Sequence, residues 1–98
     1  MNFVTGIKDE IIAEIKFLAM KNDINKVILF GSRARGDYCR TSDIDLAVDG
    51  GDITQFSLEI EETTSTLLKY DVVDLGGSIQ KELRESIEKE GVVIYEKI

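Results

Sequence analysis

Apolar residues at Ile7, Ile11, Ile12, Ile15 and Leu18 recur at helical spacing, with charged residues between them, and predict a helix over 7–18. The short apolar run Lys26–Phe30 predicts a buried strand. Residues 31–41 hold glycines and polar groups without a strong period and read as a loop. From Asp43 polar and apolar residues alternate for four positions, and Ala47 and Val48 continue a second strand. Asp49, Gly50 and Gly51 make a turn. Asp52 with Gln55 is a helix-start signal, and Ile53, Phe56, Ile60, Thr64 and Leu67 trace one face of the helix that follows. Tyr70–Leu75 reads as a third strand, stopped by Gly76 and Gly77. Ser78 is placed to cap a helix carrying Ile79, Leu83 and Ile87; Gly91 ends it, and Val92–Tyr95 is a last strand. Helices and strands thus interleave. The expected class is α/β (α+β), with one small mixed β-sheet flanked by helices. No repeat, linker or low-complexity segment interrupts the 98 residues, so a single domain, 1–98, is expected, near the smallest size that buries a useful core.

Composition narrows the function. No apolar run reaches the length of a membrane span and no basic-then-apolar leader opens the chain, so a cytoplasmic location is expected. Cys39 is the sole cysteine, which rules out an internal disulfide and fits a reducing compartment. The formal net charge is −7, which argues against an extended nucleic-acid surface, because that affinity comes mainly from neutralised phosphates. An acidic balance fits a basic protein partner, or carboxylates gathered to hold cations. The chain has no histidine, so histidine zinc sites, serine triads and histidine acid/base chemistry are excluded.

The chemistry is concentrated in residues 30–48, FGSRARGDYCRTSDIDLAV. Asp43 and Asp45 are two apart on a strand and point the same way, while Ile44 and Leu46 enter the core. Two carboxylates side by side repel and resist desolvation, a conflict that a hard divalent cation removes. A bare Asp-x-Asp also describes an ordinary solvated strand face, so its context decides. Gly31 and Ser32 follow an apolar strand and open a turn where backbone N–H groups approach an anion closely and a hydroxyl adds a donor. Arg33 and Arg35 carry forked donors suited to phosphate oxygens, and Gly36 lets the chain turn back toward the aspartates. One segment thus offers anion donors followed by cation ligands, and a metal-bound triphosphate needs both. Other phosphate and metal motifs fail: there is no Gly-Lys-Ser/Thr, no Gly-x-Gly-x-x-Gly, and Ala47 and Val48 stand where a calcium loop starting at Asp43 needs an oxygen ligand and a glycine.

Taken together, Gly31-Ser32, Arg35-Gly36 and Ser42-Asp43-Ile44-Asp45-Leu46 resemble the signature of the DNA polymerase β-type nucleotidyltransferase superfamily, in particular its minimal nucleotidyltransferases (MNT). The similarity runs through nearly the whole chain, and residues 83–95 resemble that family's short C-terminal helix and strand. The resemblance implies a third carboxylate on a later strand. Asp71 and Asp74 are both candidates; Asp71, which precedes two apolar residues, is favoured, and Asp74 would face the other side of a regular strand.

The same resemblance implies a mechanism. Asp43, Asp45 and Asp71 would hold two magnesium ions, Gly31 and Ser32 would cradle the β- and γ-phosphates of ATP, and Arg33 or Arg35 would balance charge. AMP would pass to a hydroxyl acceptor. Minimal members resemble one half of a toxin–antitoxin pair whose other half is a small helical HEPN protein, and the implied acceptor is a tyrosine of that toxin. The alternative is a nucleotide-binding or purely steric antitoxin without turnover. Transfer to a small molecule would need a second domain.

Overall fold

Two apolar faces of one sheet organise the protein, and helices from different parts of the chain cover them. The computed structural model describes residues 5–98; residues 1–4 of the expected domain lie outside the described part. The elements are α1 (Asp9–Lys21), β1 (Lys26–Phe30), α2 (Ser32–Arg35), β2 (Ile44–Asp49), α3 (Ile53–Thr63), β3 (Tyr70–Asp74), α4 (Lys81–Glu90) and β4 (Val92–Glu96). The four strands form a mixed sheet in the order β3-β2-β1-β4. β1 runs antiparallel to both β2 and β4, and β2 runs parallel to β3, with α3 as the crossover that a parallel pair requires. This is the expected mixed sheet flanked by helices.

Strand alternation sorts the core. Val27, Leu29, Ile44, Leu46 and Val48 point toward α1 and α3, where Ile11, Ile15, Leu18, Phe56 and Ile60 meet them. Phe30 and Ala47 point the other way, onto Ile87 and Leu83 of α4. α1 has Asp9 and Glu10 in its first turn and Lys21 in its last, which complements the helix dipole.

Four details differ from the sequence pattern. α1 starts at Asp9 rather than Ile7, although Ile7 still packs on the core. The aperiodic stretch after β1 contains a single helical turn, α2, too short to show a period. α3 stops at Thr63, so Leu67 is not on its face and is fully exposed. The hydroxyls of Thr63 and Thr64 donate back to the carbonyls of Glu59 and Ile60, and the Glu14 carboxylate accepts from the Ser65 backbone N–H and hydroxyl at 3.0 Å each. Such β-branched and hydroxyl residues favour leaving the helix. Finally, α4 begins after Gln80, so Ser78 does not cap it and Ile79 precedes it.

Candidate functional site: a carboxylate row beside a glycine turn

The site lies at the end of the sheet where β1 finishes and β2 and β3 begin. The antiparallel register sets Asp45 beside Phe30, and the parallel register sets Asp45 beside Asp71. Paired residues of neighbouring strands share a face, so Asp45 and Asp71 stand together on the side of the sheet that carries α4. Asp43, one residue ahead of β2, has the same parity. Asp74 pairs with Val48 and has the opposite parity; its carboxylate accepts the Gly76 N–H at 2.8 Å and closes the turn after β3.

Asp45 is half-buried, and Asp43 and Asp71 are exposed. Burial pushes the Asp45 carboxyl above its ordinary range, and the charges of Asp71 and then Asp43 push it the same way, while Arg35 opposes them. Gly31 makes room for it. Its φ is +76°, and a Cβ there would lie 2.3 Å from Asp45 Oδ2. Glycine is therefore needed at this position both for the backbone conformation and for the approach of the carboxylate. Gly31 leads directly into α2, whose first residue is Ser32. The first N–H groups of a helix have no intrahelical partner, so this turn presents donors next to the aspartates.

The two arginines separate. Arg35 is exposed; its Nε donates to Asp37 Oδ2 at 3.1 Å and an Nη to Glu90 Oε2 at 3.0 Å. Those partners, Glu90 first, hold its pKa above the usual value. Arg33 turns inward and is only 2% exposed. Its Nε donates to the Ser42 carbonyl at 3.1 Å, one Nη to the Thr5 carbonyl at 2.8 Å and the other to the Arg40 carbonyl at 3.3 Å. The Tyr38 ring lies 4.9 Å from its guanidinium carbon. With its donors committed to three backbone carbonyls, Arg33 is a poor candidate for the phosphate contact expected of it. Residues two apart on a helical turn face different sides, so once α2 forms Arg33 and Arg35 do not face one ligand together. Glu90, Tyr38 and the Thr5 carbonyl, which hold the two arginines, have no sequence signature as partners; Glu90 and Thr5 come from distant segments, and Tyr38 lies five residues after Arg33 without a local pattern.

A divalent cation is implied by this donor set, and the residues fit it. Carboxylate oxygens are hard ligands, and the burial and neighbouring negative charges that raise Asp45 are what such an ion would offset. Among the described residues no three acidic or cysteine side chains close into a ready-made cage.

Comparison with known proteins gives this arrangement its class. Residues 13–98 match the family model described as "Polymerase beta, Nucleotidyltransferase". The chain belongs to that family, and its matched region is a nucleotidyltransferase domain. Two candidate protein adenylyltransferases of Methanocaldococcus jannaschii are similar to it. One is 52% identical over 50 residues, 51% of this chain and 48% of that protein, so the chain spans about half the length of this relative. The other is 30% identical over 98 residues, covering 96% of this chain and 100% of that protein. Among solved structures, a crystal structure of a toxin–antitoxin with AMP-PNP superposes with a TM-score of 0.71 at 26% identity, over 88% of this chain and 73% of that one.

Proposed function

We propose that residues 1–98 work as one magnesium-dependent adenylyltransferase domain that moves AMP from ATP to a hydroxyl on a partner protein, in the role of an antitoxin. The carrying observation is the register that sets Asp71 beside Asp45, with the Gly31 turn packed closely against Asp45. The relatives named as protein adenylyltransferases and the toxin–antitoxin structure with an ATP analogue support both the reaction and the partner. The partner in this reading is a small helical HEPN-type toxin, and the acceptor is one of its tyrosines.

Asp43, Asp45 and Asp71 would hold two magnesium ions, which would supply charge neutralisation of the triphosphate and a lowered pKa for the attacking hydroxyl. Gly31 and Ser32 bind and orient the β- and γ-phosphates through backbone N–H and hydroxyl donors. Asp71, on the nucleophile side, accepts the acceptor's proton. The acceptor oxygen bonds to the α-phosphorus, the α–β bridging P–O bond breaks, and pyrophosphate leaves. Arg35 would exchange Glu90 and Asp37, its present partners, for phosphate oxygens. A phenol suits this chemistry, since its pKa near ~10 is within reach of metal assistance at neutral pH.

The test is intact mass spectrometry of the candidate toxin after incubation with this protein, ATP and magnesium. A mass increase of one or more AMP units, abolished by EDTA and by the Asp43→Asn, Asp45→Asn pair, is the expected result. A tight complex that silences the toxin without any mass change would replace catalysis by the steric antitoxin reading.

A further inference from the structure

We infer that Arg33 is a positioning residue for the carboxylate row: its guanidinium ties the Thr5–Gly6 segment and the Arg40–Ser42 loop together and so sets where Asp43 enters the site. Three donors from one side chain reach three carbonyls on two separate segments, at residues 5, 40 and 42. Ser42 immediately precedes Asp43, and its hydroxyl also accepts the Cys39 N–H at 2.8 Å, so the loop is held at both ends. The packing leaves little slack. A Cβ on Gly6, whose φ is +71°, would lie 2.7 Å from an Arg33 Nη and 2.5 Å from the Tyr38 ring. Asp43 itself is exposed and precedes β2, so strand pairing does not hold it directly. The loop behind it must do so.

A lysine cannot replace this arginine. Its ammonium is a point donor on a flexible stem, whereas the guanidinium presents donors in a fixed planar fork. The buried charge has a second consequence. It faces carbonyl oxygens and an aromatic face rather than a carboxylate, so it organises the loop without neutralising the aspartates that an ion must meet.

This inference rests on the transferase reading for its functional consequence, and two measurements separate the two claims. In Arg33→Lys, amide hydrogen exchange from Cys39 to Asp45 should quicken by about tenfold while α1 and α3 keep their protection. The magnesium concentration for half-maximal ATP binding should rise by about tenfold, and saturating magnesium should restore the affinity, because the donors remain and only their placement is lost. A folding role alone would lower the melting temperature without moving the magnesium requirement. Tyr38→Leu removes only the ring over the guanidinium and should shift both readouts in the same direction by a smaller factor; it carries the test should Arg33→Lys fail to fold. Unchanged exchange and magnesium requirement in a folded variant would overturn the inference. So would an ATP affinity that falls and is not recovered by magnesium, which would put Arg33 on the phosphates. Failure of the wild-type protein to bind ATP with magnesium would remove the transferase reading, and the exchange data would still decide whether Arg33 holds the loop.

Discussion

Asp45 concentrates the tension of the site. Its carboxyl is raised by burial first and by Asp71 and Asp43 next, so the folded protein holds that proton more tightly than the unfolded chain does. Stability without metal therefore falls as pH rises above the ordinary aspartate value of 3.8, and the full penalty is present at neutral pH. Asp45→Asn removes the penalty. In EDTA at pH 7 the variant should melt above the wild type, and the difference should disappear near pH ~3, where the wild-type carboxyl is protonated in both states. A variant that melts lower at both pH values would show that the carboxylate is held by favourable contacts instead. Gly31 contributes the complementary constraint. Gly31→Ala places a methyl group against Asp45 Oδ2 and forces an L-residue to positive φ, at a cost of about 1–2 kcal/mol before any clash is counted. Its melting temperature should drop and its magnesium-dependent ATP binding should vanish, because the carboxylate must move to make room. Calorimetry of the folded variant checks the second effect independently of the first.

Among the elements, β2 and β3 matter most, because their parallel register decides which late carboxylate joins the row. Asp71 pairs with Asp45, whereas Asp74 closes a turn through the Gly76 N–H. Asp71→Asn should abolish AMP transfer while much ATP binding survives, since the role proposed for Asp71 is on the nucleophile's side. Asp74→Asn keeps an oxygen for Gly76 and should retain most activity; the reverse outcome in a transfer assay would move the role to Asp74. Much of this was legible beforehand. All four strands and the Asp43–Asp45 pairing follow from alternation and from the branched run at Lys26–Phe30. What alternation cannot give is which strands pair and in what register; it favours Asp71 over Asp74, and the partner of Asp71 follows only from setting β3 against β2. The end of α3 was misjudged because Leu67 continues the helical spacing, while the hydroxyls of Thr63, Thr64 and Ser65 withdraw the chain from the helix. Arg33 was assigned to phosphate by residue type; its true partners are backbone carbonyls at residues 5, 40 and 42, which carry no side-chain signature.

At the scale of the whole molecule, an acceptor arriving on another protein, as proposed, needs a docking surface, and the segment leading to β3 offers a candidate. Leu67 is fully exposed in the segment leading to β3, just ahead of Asp71. It borders a groove of about 310 Å³ that also includes Lys8, Arg40 and Leu68, and a neighbouring one of about 430 Å³ that includes Lys69. The Ile44 N–H donates to the Lys69 carbonyl at 2.8 Å, which fixes this segment to the start of β2 and hence to the site. Lys8, Arg40 and Lys69 make no ion pair among the described residues, as is also true of Lys16, Arg84 and Lys89 elsewhere. An uncovered leucine with cations around it, on the segment that runs into Asp71, suits an acidic patch of the proposed acceptor protein. Leu67→Ser should therefore leave magnesium-dependent ATP binding unchanged and weaken the complex with the acceptor toxin by about tenfold, roughly 1.4 kcal/mol, within what a buried leucine contributes. In the transfer assay this should appear as a raised KM for the toxin with kcat preserved. Phe17 provides the control, because it is 59% exposed but lies further along α1, away from that groove. Phe17→Ser should leave KM unchanged. Equal effects of the two substitutions would point to general loss of apolar surface, and no effect of Leu67→Ser would place the acceptor on another side of the carboxylates.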